Sequence, residues 1–352
     1  MAPQTSVVIV QFGSRFLLDR CLESLNRTDP GIPFDVKVVV NGISEGTSSD
    51  LSREYPAYQF ITNAENRGYA AAANQGLNSS DAEFVVLLNN DVVFSNLWLK
   101  HLVDLAESDK SIALVQPKIR SLTSPNTFDY AGGCGGFIDR YGYPFARGRL
   151  FTSVEVDHGQ YDLPCEIFWA SGAALLMRRE AVIAAGGFDP LFFIYHEETD
   201  LAWRLHLLGF KVMVCPESVV YHEGSASFKA SQESSNLQLF MMHRNDLLML
   251  TKNLGSKELR FRLPIRLLLE VVNFGFSLFR KRREAIQIAR ALLWVTTHVD
   301  VIREARNRTQ TTRRIPDRAF GSLFALGIAP LLFFLAHRTK FTQFQFDAPT
   351  GP

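Results

Sequence analysis

Residues 83–91 read EFVVLLNND. Five apolar residues in a row, without alternation, mark a strand covered on both faces, and the run stops abruptly at three polar residues. Similar strand-length runs stand on either side: SVVIV (6–10), DVKVVV (35–40), YQFIT (58–62) and SIALVQP (111–117). Helical patterns separate them. Arg15 to Leu25 places Phe16, Leu17, Cys21, Leu22 and Leu25 on one face, Gly68 to Leu77 is rich in alanine, and Asn96 to Glu107 has helical spacing. Strand and helix in alternation predict an α/β fold, with a Rossmann-like, mostly parallel sheet and helices on both faces. In such sheets ligands gather at the C-terminal strand ends, which puts Asn89, Asn90 and Asp91 where chemistry is expected.

The rest of the chain is consistent with a folded enzyme-sized body. Of 352 residues, 47% are hydrophobic and 21% charged, which excludes disordered, collagen-like and coiled-coil classes. The net charge of +1 hides an asymmetry. Residues 1–254 hold 20 Lys and Arg against 29 Asp and Glu, a net of −9; residues 255–352 hold 17 against 7, a net of +10. Cys21, Cys134, Cys165 and Cys215 form no C-x-x-C pair, so reduced, mostly buried thiols are expected. The N-terminal apolar run is too short for a signal peptide, and the body is expected in the cytoplasm. No stretch reaches the ~18–20 apolar residues of a spanning helix. The nearest, Gly321 to Ala336, is broken by Pro330. Residues 120–165, rich in Gly, Pro and aromatics, read as loops or short hairpins over a functional face.

Three polar segments carry the candidate chemistry. Asp91, at a strand's end, is placed to hold a divalent cation that grips a diphosphate. HEETD (196–200) crowds Glu197, Glu198 and Asp200 at the start of a helix. Their mutual repulsion raises at least one pKa and suits a general base. HEGSAS (222–227) supplies His222 just past a strand. Taken singly, each has a plain structural reading as a strand terminator, a helix cap or a structural histidine. No histidine stands four residues after His196, which excludes the helical zinc-peptidase pattern.

Their order carries more than any one of them. SVVIV, then ENRGYAAAANQG (65–76), LLNND (87–91), WASGAALLMRRE (169–180), GGFDPLFFIYHEETDLAWR (186–204) and HEGSAS resemble the family-2 inverting glycosyltransferases of GT-A fold. Within that family the likeness is to bacterial rhamnosyltransferase-like enzymes of polysaccharide assembly, and it covers about residues 5–255. The resemblance implies a nucleotide-sugar at the strand ends, with Mg²⁺ or Mn²⁺ held by Asp91 and His222. It places the base at Glu198, with Glu197 and Asp200 tuning it or orienting the acceptor. It assigns Gln11, Asn41, Asn66, Arg67, Gly68, Asn89 and Asn90 to the nucleotide-sugar, and Trp169, Ser171, Gly172 and Arg204 to the sugar and acceptor pocket. Three positions depart from the family pattern. Glu198 stands where the family's acid pair has aspartate, one methylene shorter, which leaves Glu197 as the alternative base. Asn89 stands where many members have aspartate, and Val40 stands where an aspartate commonly reads the pyrimidine, leaving Asn41 or Gln11 to substitute.

The implied reaction is transfer of L-rhamnose from a dTDP-linked donor to a lipid-linked or polysaccharide acceptor. UDP-galactofuranose, UDP-glucose or a GDP-sugar are alternative donors, and an inactive scaffold subunit is the non-enzyme alternative. Residues 255–340 read as two or three basic amphipathic helices, with residues 341–352 as a tail. Such helices fit a membrane surface, with RKRR (280–283) as the densest basic cluster, and give the expectation of a peripheral protein on the inner face of the plasma membrane. A helical surface for a second copy of the chain is the alternative reading. Nucleic acid is not expected, because the basic stretch has few polar or aromatic base-reading groups and the body is acidic.

Overall fold

The computed structural model describes residues 4–42, 45–224 and 232–346. Ser225 to Ser227 of the HEGSAS segment, and the tail beyond residue 346, lie outside the described residues. The first half of the chain contains β1 (Thr5–Gln11), α1 (Arg15–Arg27), β2 (Phe34–Asn41), α2 (Glu45–Glu54), β3 (Gln59–Asn63), α3 (Tyr69–Asn78), β4 (Phe84–Asn89), β5 (Val92–Phe94), α4 (Trp98–Ser108) and β6 (Ile112–Ser121). Short strands β7 (Gly136–Asp139), β8 (Pro144–Ala146), β9 (Arg149–Leu150) and β10 (Ser153–Val154) follow. Then come β11 (Cys165–Glu166), β12 (Ala174–Arg178), α5 (Arg179–Ala184), α6 (Glu197–Leu208) and β13 (Lys211–His222). The remainder is α7 (Gln232–Asn253), α8 (Ser256–Arg280), α9 (Arg282–Thr297), α10 (Val299–Thr312), β14 (Phe324–Ala325) and α11 (Ala329–Phe334).

The main sheet has the order β11-β13-β6-β12-β4-β1-β2-β3, with β5 against β13. Strands β1 to β4 are parallel, as are β6 and β13. Side chains alternate between two buried layers: along β1, Val7 and Ile9 enter the layer under α1 and α4, while Val8 and Val10 enter the layer with α3 and α6. Burial on both faces is why these strands read as unbroken apolar runs. Strand β12 is inverted, antiparallel to both β4 and β6. Its chain arrives at the functional edge from the 122–173 excursion without crossing back, so Ala173 O accepts from Asn89 N at 3.0 Å. This direction sets WASG (169–172) beside the end of β4.

The Gly- and aromatic-rich stretch folds into a second sheet, β10-β9-β8-β7-β14. Its last strand comes from the chain's far end and lies parallel to β7. Phe324, Ala329, Phe333 and Phe344 join the same core as Phe137 and Trp203. The boundary at residue 254 therefore divides the sequence by charge, not the fold by packing. The apolar segment at 321–336 covers this second sheet, and Pro330 sits in the first turn of α11, where its missing N–H costs nothing.

Helix α8 is arranged inside out. Arg266, Glu270 and Ser277 are its buried residues. Phe261, Ile265, Leu268, Val272, Phe276 and Phe279, spaced three or four apart, form an exposed apolar stripe. Among the described residues no single helix is long and apolar enough to cross a membrane; α9 and α10 pass that test only as a pair bent by 72°.

Candidate active site

Strands β4 and β13 deliver the first two groups. Asp91 follows β4, and pairing of His222 with Val92 brings the end of β13 alongside. His222 Nε2 lies 3.1 Å from Asp91 Oδ1. Its Nδ1 lies 2.8 Å from Asp129 Oδ1. Burial opposes charge on the ring, yet Asp129 and Asp91 outweigh it and push the His222 pKa up to about 10. Glu223, paired with Arg20, donates its backbone N–H to Asp91 O at 3.1 Å and fixes this corner.

Asp91 Oδ1 and His222 Nε2 are buried, and neither has an aligned hydrogen bond. The two buried atoms face each other at 3.1 Å and would fit a cation's ligands once the cation displaces the ring's proton. Among the described residues there is no group of three or more His, Cys, Asp or Glu able to hold a metal unaided.

The residues expected to meet the nucleotide-sugar are bonded mainly to one another. Asn90 Nδ2 donates to Gln11 Oε1 at 2.5 Å, and Gln11 Nε2 donates to the carbonyls of Gly13 and Ser14, each at 3.3 Å. Asn41 is a hub. It donates to Asn66 Oδ1 (2.9 Å) and Gly68 O (3.3 Å), and accepts from Asn63 Nδ2 (3.2 Å) and Arg67 N (3.1 Å). With its amide committed, Asn41 shapes the loop that presents the exposed Asn66 and Arg67 side chains. Val40 lies in the core under α1, facing away from that loop. Asn89 is half-buried at the end of β4.

The acid side begins with a tight loop. Gly68 has φ 84° and ψ 160°, a region open only to glycine, and a Cβ there would lie 2.5 Å from the Phe193 ring. This close approach lets Tyr69 N donate to Phe193 O at 2.6 Å, so the loop entering α6 docks on the start of α3. Glu197 is buried and Glu198 half-buried. Burial pushes both carboxyls up, Glu197 well above the ordinary range with further push from Glu198. Asp200 is fully buried and serves differently. It accepts from Arg204 Nε (2.8 Å), Lys252 Nζ (2.9 Å) and Asn253 Nδ2 (2.8 Å), and Lys252 and Arg204 hold its pKa down against the cost of burial. Arg204 is thus tied to Asp200 and to Ala185 O.

Tyr69 joins the two sides. Its hydroxyl donates to Gly172 O at 2.7 Å. Its pKa is driven far up, first by burial and then by Glu197, Glu198 and Asp91. Gly172 is where a side chain would press on that hydroxyl. Ser171 N donates to Gln116 Oε1 at 2.8 Å. Trp169 is buried, donating from its indole to Phe137 O at 2.8 Å, with its ring closed over Gly136.

The family profile described as "Glycosyltransferase like family 2" matches residues 3–236. The chain belongs to this family. This glycosyltransferase is 27% identical over 235 residues to the N-acetylglucosaminyl-diphospho-decaprenol L-rhamnosyltransferase of Mycobacterium tuberculosis, covering 63% of this chain and 76% of that one. It is 22% identical to rhamnosyltransferase WbbL of Escherichia coli K12, covering 61% and 82%. In fold it is similar to the crystal structure of GalNAc-T7 with UDP, GalNAc and Mn²⁺, with TM-score 0.50, 17% identity, 68% of this chain covered and about half, 48%, of that chain.

The structure of this glycosyltransferase adds site residues that sequence reasoning missed. Asp129 reaches His222 from a loop with no spacing signal. Tyr69 lay within the quoted ENRGYAAAANQG segment but was not singled out. Asn245 and Asp246, on α7, hold the loop before Glu197 and belong to no motif.

Proposed function

We propose that this glycosyltransferase is divalent-metal-dependent and inverting, and that it moves L-rhamnose from dTDP-L-rhamnose to a lipid-linked glycan at a membrane surface. The observation that supports the reading is Tyr69, whose backbone N–H donates to Phe193 O at 2.6 Å and whose hydroxyl donates to Gly172 O at 2.7 Å, tying the loop before the acid pair to the segment beside the end of β4. The donor sugar is argued from the two rhamnosyltransferase relatives. Val40 leaves the base identity to the Asn66–Arg67 loop, which is why other donors belong in the test.

In this reading Asp91 and His222 hold Mg²⁺ or Mn²⁺, which supplies charge to offset that developing on the leaving diphosphate. Asp129 fixes the His222 ring. Glu198, the more accessible of the acid pair, takes the proton of the acceptor hydroxyl as its oxygen bonds to the anomeric carbon. The bond from that carbon to the nucleotide's phosphate oxygen breaks on the opposite side, so configuration inverts. Glu197, deeper and with its pKa pushed further up, keeps its proton and avoids a second negative charge beside Glu198. Asp200 and Arg204 anchor α6. The exposed apolar stripe of α8, within the basic region 255–352, supports a membrane surface for the acceptor.

A donor panel tests this. With Mn²⁺, dTDP-L-rhamnose is expected to raise the unfolding temperature more than UDP-galactofuranose, UDP-glucose or GDP-mannose, and to be the donor turned over. Preference for another donor moves the substrate; no response to any donor sinks the transferase reading.

A further inference from the structure

The loop that delivers the acid pair is strained. Phe193, Tyr195 and His196 have φ of 59°, 68° and 68°, positive values that bulky residues rarely adopt. Such a loop persists only if something over-determines it, and two adjacent residues of α7 do. The amide of Asn245 lies within hydrogen-bond distance of three carbonyls, Phe192 (3.0 Å), Ile194 (2.9 Å) and Tyr195 (2.7 Å). Asp246 Oδ1 lies 3.2 Å from His196 Nε2. Its Oδ2 accepts from Arg266 Nη2 at 2.8 Å.

Arg266 comes from α8, in the basic region, and its side chain is fully buried. It also pairs with Glu270 at 2.6 Å, and its guanidinium lies 3.6 Å from the centre of the Tyr143 ring. Glu270 in turn lies 2.9 Å from His243 Nδ1. Buried ion clusters of this kind are often no more stabilising than apolar packing, so net stability alone does not account for them.

We propose that Asp246 and Arg266 are positioning residues for the acid pair: α8 reaches through Arg266 and Asp246 to His196 and sets the orientation in which Glu198 meets the acceptor. The inference rests on Glu198 acting as the base.

The test uses the full chain with Asp246→Asn, which keeps shape and removes charge, and Arg266→Lys, which keeps charge and removes the fork. With Mn²⁺ and whichever panel donor the wild type turns over, Asp246→Asn is expected to lower kcat by ~10- to 100-fold, with donor KM within about twofold and the cooperative unfolding transition retained. Arg266→Lys is expected to fall between it and the wild type. Wild-type kcat in Asp246→Asn overturns the proposal, as does loss of kcat and KM together in step with the melting temperature. Amide hydrogen exchange is read on the same proteins without substrate. Exchange ~10-fold faster, confined to residues 194–199, supports the positioning role; unchanged exchange there overturns it. A wild type that turns over no donor counts against the transferase reading alone.

Discussion

His222 Nδ1 lies 2.8 Å from an oxygen of Asp129, while its other ring nitrogen lies 3.1 Å from Asp91. A carboxylate behind a histidine fixes the ring and sharpens it as a ligand. Asp129→Asn is therefore expected to weaken Mn²⁺ binding by ~10- to 100-fold with the fold intact. Electron paramagnetic resonance titration of Mn²⁺ in the presence of dTDP measures this, and unchanged affinity would show that Asp129 does not support the metal corner.

Activity should fall on the acid side earlier than for an ordinary carboxylate base. Burial pushes the Glu198 pKa up, and only its carboxylate form accepts a proton. The rate is then full above that raised pKa and is lost as pH drops through it. A kcat–pH profile that stays flat down to the usual glutamate pKa of about 4.3 would contradict the assignment.

Asp200 is a matter of stability. Its pKa is depressed, so its contribution is present above the unfolded-state pKa and is lost as pH falls through the folded one. Asp200→Ala leaves Lys252 and Arg204 buried without their shared carboxylate and is expected to cost about 3–5 kcal/mol. Urea unfolding reads this; a loss below about 1 kcal/mol would mean the cluster relaxes into solvent.

Much of this was legible in the sequence, for a physical reason. Strands buried on both faces announce themselves as unbroken apolar runs; Asp91 and His222 were marked by the polar segments that end such runs, and Glu198 by the acidic start of a helix. Strand direction leaves no such mark, and the inversion of β12 was invisible. Charge in a sequence names no partner either. Arg266 read as part of a basic outer face, yet Asp246 and Glu270 draw it inside. Asp129 and Asn245 act across long chain separations, where local patterns carry no information.

The exposed stripe of α8 predicts vesicle binding. The full chain is expected to float with vesicles containing anionic phospholipid, and Leu268→Glu, Val272→Glu and Phe279→Glu combined should abolish this while leaving the fold intact. Ending the chain near residue 254 is a poorer test, because Phe324, Phe333 and Phe344 belong to the shared core. Failure of the unaltered chain to float would remove the membrane surface from the account.

The most direct measurement is single-turnover transfer by Glu198→Gln with dTDP-L-rhamnose and Mn²⁺. The account predicts donor affinity close to wild type and sugar transfer slowed by ~10²- to 10⁴-fold, the usual worth of a positioned base. Transfer at the wild-type rate would contradict it.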